Sequence, residues 1–213
     1  MDLFSRPGVR AKKKARDRLI RLAQSHPDWV LGYQDETWWS RLAQPALHAW
    51  TAAQRPLRLV EFEADRADRE PQALSCYGLL RGDTGRMLLR FVDGRPVSQV
   101  TEDFLAWVCQ RLEREGKRAL LLIWDNASWH ISRRVRQWIK RHNRAAKAQG
   151  GVRILPCYLP SKSPWLNAIE PKWVHGKKAI AEPGRKLGAR EIRYRATAYY
   201  RSRRYRPLKQ KVA

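Results

Sequence analysis

Six consecutive apolar residues, Ala119 to Trp124, run straight into Asp125. A short apolar run without polar alternation reads as a strand covered on both faces, and covering both faces takes helices on either side of its sheet. In open α/β sheets, ligands gather beyond the carboxyl ends of the strands. Asp125 stands at such an end. The run therefore constrains both the architecture and the place where chemistry could occur.

The flanking pattern agrees. Residues 29–39, WVLGYQDETWW, are rich in strand formers, and Asp35 is expected to end that strand. A short strand is expected between 41 and 60, interrupted by Pro45 and Pro56, followed by a polar loop at 61–72. ALSCYGLLR (73–81), the turn GDTG (82–85) and RMLLRFVD (86–93) form a hairpin signature. The spacing predicts a helix over 101–116. Thr101 would be its N-cap, Glu102 and Asp103 would favour the positive end of its dipole, and Gly116 would close it. Phe104, Leu105, Val108 and Leu112 fall on one face of it. A basic helix follows over 131–149, ended by Gly150-Gly151, then a buried strand at 152–156 and a helix from about Asn167 to about Lys178. This order predicts an α/β fold, a mixed sheet flanked by helices. A chain of 213 residues suits one sizeable core.

The chain carries 44 Lys and Arg against 20 Asp and Glu, a net charge of +24. Such a surplus is self-repelling unless a polyanion joins it, and nucleic acid is the obvious one. The surplus gathers at the ends. Residues 1–28 hold +5 and residues 185–213 hold +10, against +9 over 29–184. The expected organisation is a basic helical segment (1–28), a central domain (29–184) and an Arg/Tyr-rich tail (185–213). Within 12–25, Ala15, Leu19, Leu22 and Ala23 fall at helical spacing among basic residues. In the tail, arginines including Arg193, Arg195, Arg203 and Arg204 alternate with Tyr194, Tyr199, Tyr200 and Tyr205, a composition suited to phosphate contact with base stacking. Arg133, Arg134, Arg136, Lys140 and Arg141 would add backbone contacts from the 131–149 helix. A solvated basic tail is the plain alternative.

Several classes are excluded. No apolar run approaches the length of a membrane span, and residues 1–10 lack the apolar stretch of a signal peptide. No phosphate-binding or dinucleotide-binding glycine loop is present. Cys76, Cys109 and Cys157 are too scattered for a zinc site or a disulfide framework and read as reduced, half-buried packing residues of a cytosolic protein. Three acids are placed unlike the rest: Asp35 and Asp125 at strand tips, and Glu170 at the start of a helix. Convergent carboxylates need a cation to stay ionised together. Mg²⁺ suits such oxygens, and a pair of ions would serve phosphodiester displacement. Each acid also has a plain structural reading. Asp35, like its neighbour Glu36, could be an ordinary strand-end acid. Asp125 could cap a turn, and Glu170 could pair with Asn167 in a capping box. His130, five residues after Asp125, could point into the same cleft or be a satisfied polar residue.

Three blocks carry a family resemblance: YQDETWW (33–39), LLLIWDNASWH (120–130) and LPCYLPSKSPWLNAIEPKW (155–173). They resemble the acidic blocks of DDE-superfamily transposases, in the insertion-sequence branch related to mariner elements, over about residues 29 to 178. The resemblance implies a ribonuclease-H-like fold with the strands of Asp35 and Asp125 adjacent. It implies that Asp35, Asp125 and Glu170 hold divalent metal, Mg²⁺ with Mn²⁺ able to substitute, and that the site cuts and joins DNA strands. Asn126 and His130 match flanking positions, and Asn167 and Trp173 match positions that shape the last helix; Asn126, His130 and Asn167 are expected in supporting roles. The partners it implies are double-stranded DNA, as element ends and target, and a second copy of the chain on paired ends. The expected location is cytoplasmic, at the nucleoid.

The family's proline after the asparagine is absent; Ala168 stands there, and Pro171 follows Glu170. Only 34 residues precede Asp35, so the family's helix-turn-helix module is expected to be missing or supplied by a separate chain. Pro171 and the missing module leave a second expectation open, a remnant that binds DNA without cutting it. A nuclease or resolvase on the same fold, cutting without joining, is a third.

Overall fold

The computed structural model describes residues 7–42, 48–50, 56–58, 62–63, 65–161, 163–180 and 185–210. Helix α1 (Pro7–Gln24) leads into β1 (Trp29–Ser40), a small hairpin β2 (His48–Trp50) and β3 (Pro56–Arg58), then β4 (Ala73–Arg81) and β5 (Met87–Asp93). Helix α2 (Ser98–Arg114), β6 (Ala119–Trp124), α3 (Arg133–Gln149), β7 (Arg153–Tyr158), α4 (Glu170–Ile180), α5 (Ala189–Tyr199) and β8 (Leu208–Lys209) complete the order. The main sheet runs β7-β6-β1-β4-β5-β8. β1, β6 and β7 are mutually parallel, β4 is antiparallel to β1 and β5, and β8 joins the edge parallel to β5.

Every residue of β6 is fully buried, as its unbroken apolar run requires. Leu120, Leu122 and Trp124 point to the face packed by α2 and α3; Leu121 and Ile123 point to the opposite face, with Leu19, Ile20 and Ala23 of α1. Farther along that face, Ile169 just before α4, Trp173 and Ile180 of α4, and Ile192 and Ala196 of α5 cover β4 and β5. Full burial of each β6 leucine is worth about 2 kcal/mol. Truncating one to alanine costs about 2–5 kcal/mol once the cavity is counted.

The sequence and the structure differ at several element ends. β1 does not stop at Asp35 but continues to Ser40, because β4 pairs with it as far as Ser40↔Ala73. What ends near Asp35 is the parallel ladder with β6, whose last pair is Tyr33↔Ile123. Helix α2 begins at Ser98, so Thr101 is inside it. Its hydroxyl donates to the Val97 carbonyl (3.2 Å) and shares a hydrogen bond with Tyr77 Oη (2.9 Å). That buried tertiary pair takes the hydroxyl the cap would have used. Helix α3 starts two residues later than expected, with Ser132 as the cap accepting from Val135 N–H, and ends at Gly150 in the left-handed region (φ 78°) as expected. The segment read as a basic tail folds back instead: α5 packs on the sheet face, and β8 extends the β5 edge. The three cysteines are buried thiols. The expected strand between 41 and 60 corresponds to the β2–β3 hairpin. Pro45 and the 184/185 boundary lie outside the described residues.

Candidate active site

Continuing the β1–β6 register two places past its last pair sets Asp35 beside Asp125. Parallel neighbours in register point to the same face, here the face covered by α1 and α4. Glu170 is the first residue of α4, which packs on that face. Pro171 is accommodated because it falls in the first turn, where its missing N–H has no intrahelical partner to lose. A cleft of about 340 Å³ separates the elements, lined by Asp125, Asn126, Ser161, Ser163, Asn167 and Glu170 among others.

The supporting contacts are specific. Trp173, one turn after Glu170, donates its indole N–H to Asp35 Oδ2 (3.1 Å). The ring fits because Gly78, paired with Asp35 across β4, has no side chain; a Cβ there would stand 2.3 Å from Trp173 Cη2. Asn167 Nδ2 donates to the Gln34 carbonyl (3.1 Å), so it ties α4 to β1 and does not close a side-chain capping box with Glu170. Asn126 Nδ2 donates to the Leu159 carbonyl (2.6 Å), pinning the wall of the cleft. From α1, Lys12 reaches the same carbonyl (3.4 Å) and Arg16 reaches Leu166 O (3.0 Å).

Asp125 does serve as a turn cap, since its Oδ1 accepts from Ala127 N–H (2.9 Å). The same oxygen meets His130 Nδ1 at 2.7 Å. His130 is fully buried and stacked on Trp124 (4.6 Å between rings), and its Nε2 faces Glu36 Oε1 at 3.0 Å. Glu36 also accepts from Gln34 Nε2 (2.7 Å) and Trp129 Nε1 (3.0 Å). Glu36 has therefore left the solvent-facing role of an ordinary strand acid. Sequence reasoning passed it over because nothing local separates it from Asp35.

The electrostatics tie the three acids together. Burial, followed by Glu36, Glu170 and Asp125, pushes Asp35 up to about 8. Burial and then Asp125 raise Glu170, with Lys177 easing it. For Asp125, burial would raise the carboxyl, but hydrogen bonds from His130 and the Ala127 N–H outweigh it and hold it below its ordinary range. Burial alone would lower His130; the Glu36 and Asp125 carboxylates raise it to about 9. Lys177 is half-buried beside Asp35 and Glu170, and burial lowers its pKa despite them. The sequence does carry a signal for Lys177: it lies seven residues, two helical turns, after Glu170 and so shares its face.

As placed, no three His, Cys, Asp or Glu side chains among the described residues close around a metal ion. The donor chemistry nevertheless fits a hard divalent cation: Asp35 and Glu170 are raised by the neighbouring carboxylates, and among the described residues the Glu170 carboxylate has no hydrogen-bond partner and only one Asp125 oxygen is engaged.

The family model for DDE superfamily endonucleases matches residues 33–191, about three quarters of the chain. The chain belongs to the DDE superfamily endonucleases. Solved structures agree on the architecture of this DDE endonuclease. A Mos1 transposase paired-end complex with the left transposon end aligns with a TM-score of 0.60 at 15% identity, over 94% of this chain and 56% of that one. The Mos1 mariner paired-end complex with Mn aligns at 0.56 and 14%, over 89% and 54%. The catalytic domain of Mos1 mariner transposase aligns at 0.55 and 14%, over 94% and 84%. The fold is thus ribonuclease-H-like, and the chain spans a little over half the length of the longer transposases it matches. No curated protein matches its sequence closely enough to count as a relative.

The DDE endonuclease spreads its expected DNA-binding residues unevenly. Arg133, Arg136, Lys140 and Arg141 are exposed on α3 with no acidic partner among the described residues. Arg144 and Lys147 continue the Arg133–Arg136–Lys140 row. Arg134 is held by Glu102 (2.8 and 3.0 Å), Arg193 by Asp93 (2.9 Å) and Arg195 by Glu191. Arg203 is exposed without an acidic partner among the described residues, and Arg204 lies over the Tyr194 ring at 4.8 Å. Among the described residues no helix is long and apolar enough to cross a membrane.

Proposed function

We propose that this chain is the catalytic part of a DNA transposase, cleaving phosphodiesters at element ends and joining the freed strand to target DNA. The observation that carries the reading is the placement of Asp35 and Asp125 side by side at the end of the parallel ladder, both coupled to Glu170. Asp35, Asp125 and Glu170 would hold Mg²⁺, as two ions or one, with Mn²⁺ able to substitute. Bound there, the metal supplies a more acidic water and neutralises charge on the phosphate.

The chain's own residues would do the rest. Trp173 and His130 fix the rotamers of Asp35 and Asp125. Asn126 and Asn167 hold the cleft walls. Lys177 brings a positive charge to the phosphate side of the acids. Phosphoryl transfer depends chiefly on such positioning and charge neutralisation. The exposed row on α3, a helix about 25 Å long, begins eight residues after Asp125 and would track the DNA backbone away from the cleft. The basic segments 1–28 and 185–213 would add charge to the central domain, on whose sheet α1 and α5 pack. A second copy on paired ends is the partner that fits.

The test is supercoiled plasmid or end-containing duplex incubated with Mg²⁺ or Mn²⁺, with products resolved on a gel. Parent protein should nick or cut and, with a free 3′-hydroxyl, join; Asp125→Asn should do neither. Equal activity in the variant, or activity indifferent to a chelator, would refute the reading.

A further inference from the structure

Asp35 and Glu36 are consecutive on an extended strand, so they point to opposite faces of the sheet. Asp35 points with Tyr33 and Trp39 toward α4 and α5, whereas Glu36 points with Val30 and Gln34 to the face of α2 and α3. Glu36 is almost fully enclosed, with 6% of its side chain exposed. Three donors converge on it: Gln34 Nε2 and His130 Nε2 on Oε1, and Trp129 Nε1 on Oε2. A metal ligand needs lone pairs aimed at the cleft, and those of Glu36 are spent on its own face. Its connection to the cleft runs through one ring. His130, buried between Trp124 and Trp129, meets Glu36 with one nitrogen and Asp125 with the other.

We propose that Glu36 is a positioning residue: from the rear of the sheet it fixes the His130 ring, and through that ring the Asp125 carboxylate, so that Asp125 presents its free oxygen to the cleft. This rests on the reading of Asp125 as a metal ligand. The chemistry demands a carboxylate at 36. A glutamine has one acceptor oxygen and one NH₂ group. With its NH₂ toward Trp129 the indole N–H is left unpaired; with its NH₂ toward Gln34 and His130, pairing is kept only if Gln34 turns its amide and His130 accepts through Nε2, which changes the ring's protonation. Outer partners of this kind commonly set metal affinity by 10- to 100-fold.

The test titrates Mn²⁺ into the full chain, reading free ion by electron paramagnetic resonance, and records the His130 ring nitrogens by ¹⁵N NMR in metal-free protein. Glu36→Gln should weaken Mn²⁺ about tenfold or more and shift both ring nitrogens. Trp129→Phe keeps the ring contact and removes one of the three bonds, and should weaken Mn²⁺ by about threefold. If Glu36→Gln does not fold, Trp129→Phe decides on the same two readings. Parental Mn²⁺ affinity in Glu36→Gln, alongside lost binding in Asp125→Asn, overturns the positioning role alone. Parental affinity in Asp125→Asn overturns the ligand reading beneath it.

Discussion

Replacing Asp35 with asparagine should stabilise the metal-free protein, and increasingly so as the pH rises. The folded state holds this carboxyl at about 8 against an ordinary 3.8, because burial and the carboxylates of Glu36, Glu170 and Asp125 all oppose its charge. Between those values the folded chain keeps a proton that the unfolded chain has released. Stability therefore falls as pH rises, by about 1.4 kcal/mol per pH unit for one group. From about pH 5 to about pH 8 the parent should lose about 4 kcal/mol that Asp35→Asn does not lose. Asparagine is close in shape to the protonated acid, so it keeps an acceptor for the Trp173 N–H. The assay is urea unfolding in chelator across that pH range, with the two curves subtracted. Millimolar Mg²⁺ should then recover the parent at pH 8 and leave Asp35→Asn unmoved. Parallel curves for the two proteins would show that the acids do not oppose one another as described, and the electrostatic basis of the site would fall.

Gly78→Ala would drive a methyl group into Trp173. It should cost about 1–3 kcal/mol by urea unfolding and release the hydrogen bond on Asp35, lowering cleavage as well. Neutralising Arg133, Arg136 and Lys140 together should reduce the slope of log affinity against log salt for duplex DNA by about 2.7, at about 0.9 per phosphate contact. Neutralising Arg134, already engaged by Glu102, should leave that slope near the parental value. Lys177→Met should reduce metal-dependent cleavage by about tenfold to a hundredfold while changing duplex affinity by less than twofold, measured by single-turnover cleavage and fluorescence anisotropy.

Much of the fold was legible because its constraint is local. The unbroken apolarity of residues 119–124 demanded a doubly covered strand, and β6 is one. The turn at 82–85 and the glycines at 116 and 150 marked real chain reversals. Ends set by tertiary contact were not legible. β1 continues past Asp35 because β4 lies alongside it, and Thr101 left the cap position for Tyr77. The carboxyl-terminal segment hid α5 because its apolar face, Ile192 and Ala196, is sparse beneath the arginines. At the site, strand tips and helix starts pointed to Asp35, Asp125 and Glu170. Glu36 was hidden by adjacency, since a strand sends neighbours to opposite faces and only the packing of His130 shows which acid it meets. Arg134, Arg193 and Arg195, expected as DNA contacts, each face an acid in the fold, and a sequence does not show which arginines have an acid opposite.

The central claim is that Asp35, Asp125 and Glu170 together hold divalent metal. It is met most directly by crystals soaked in Mn²⁺ and measured at the manganese absorption edge. We expect an anomalous peak in the cleft within coordination distance of oxygens from all three side chains, absent in Asp125→Asn. Peaks confined to other sites, or a peak unchanged by that substitution, would contradict it.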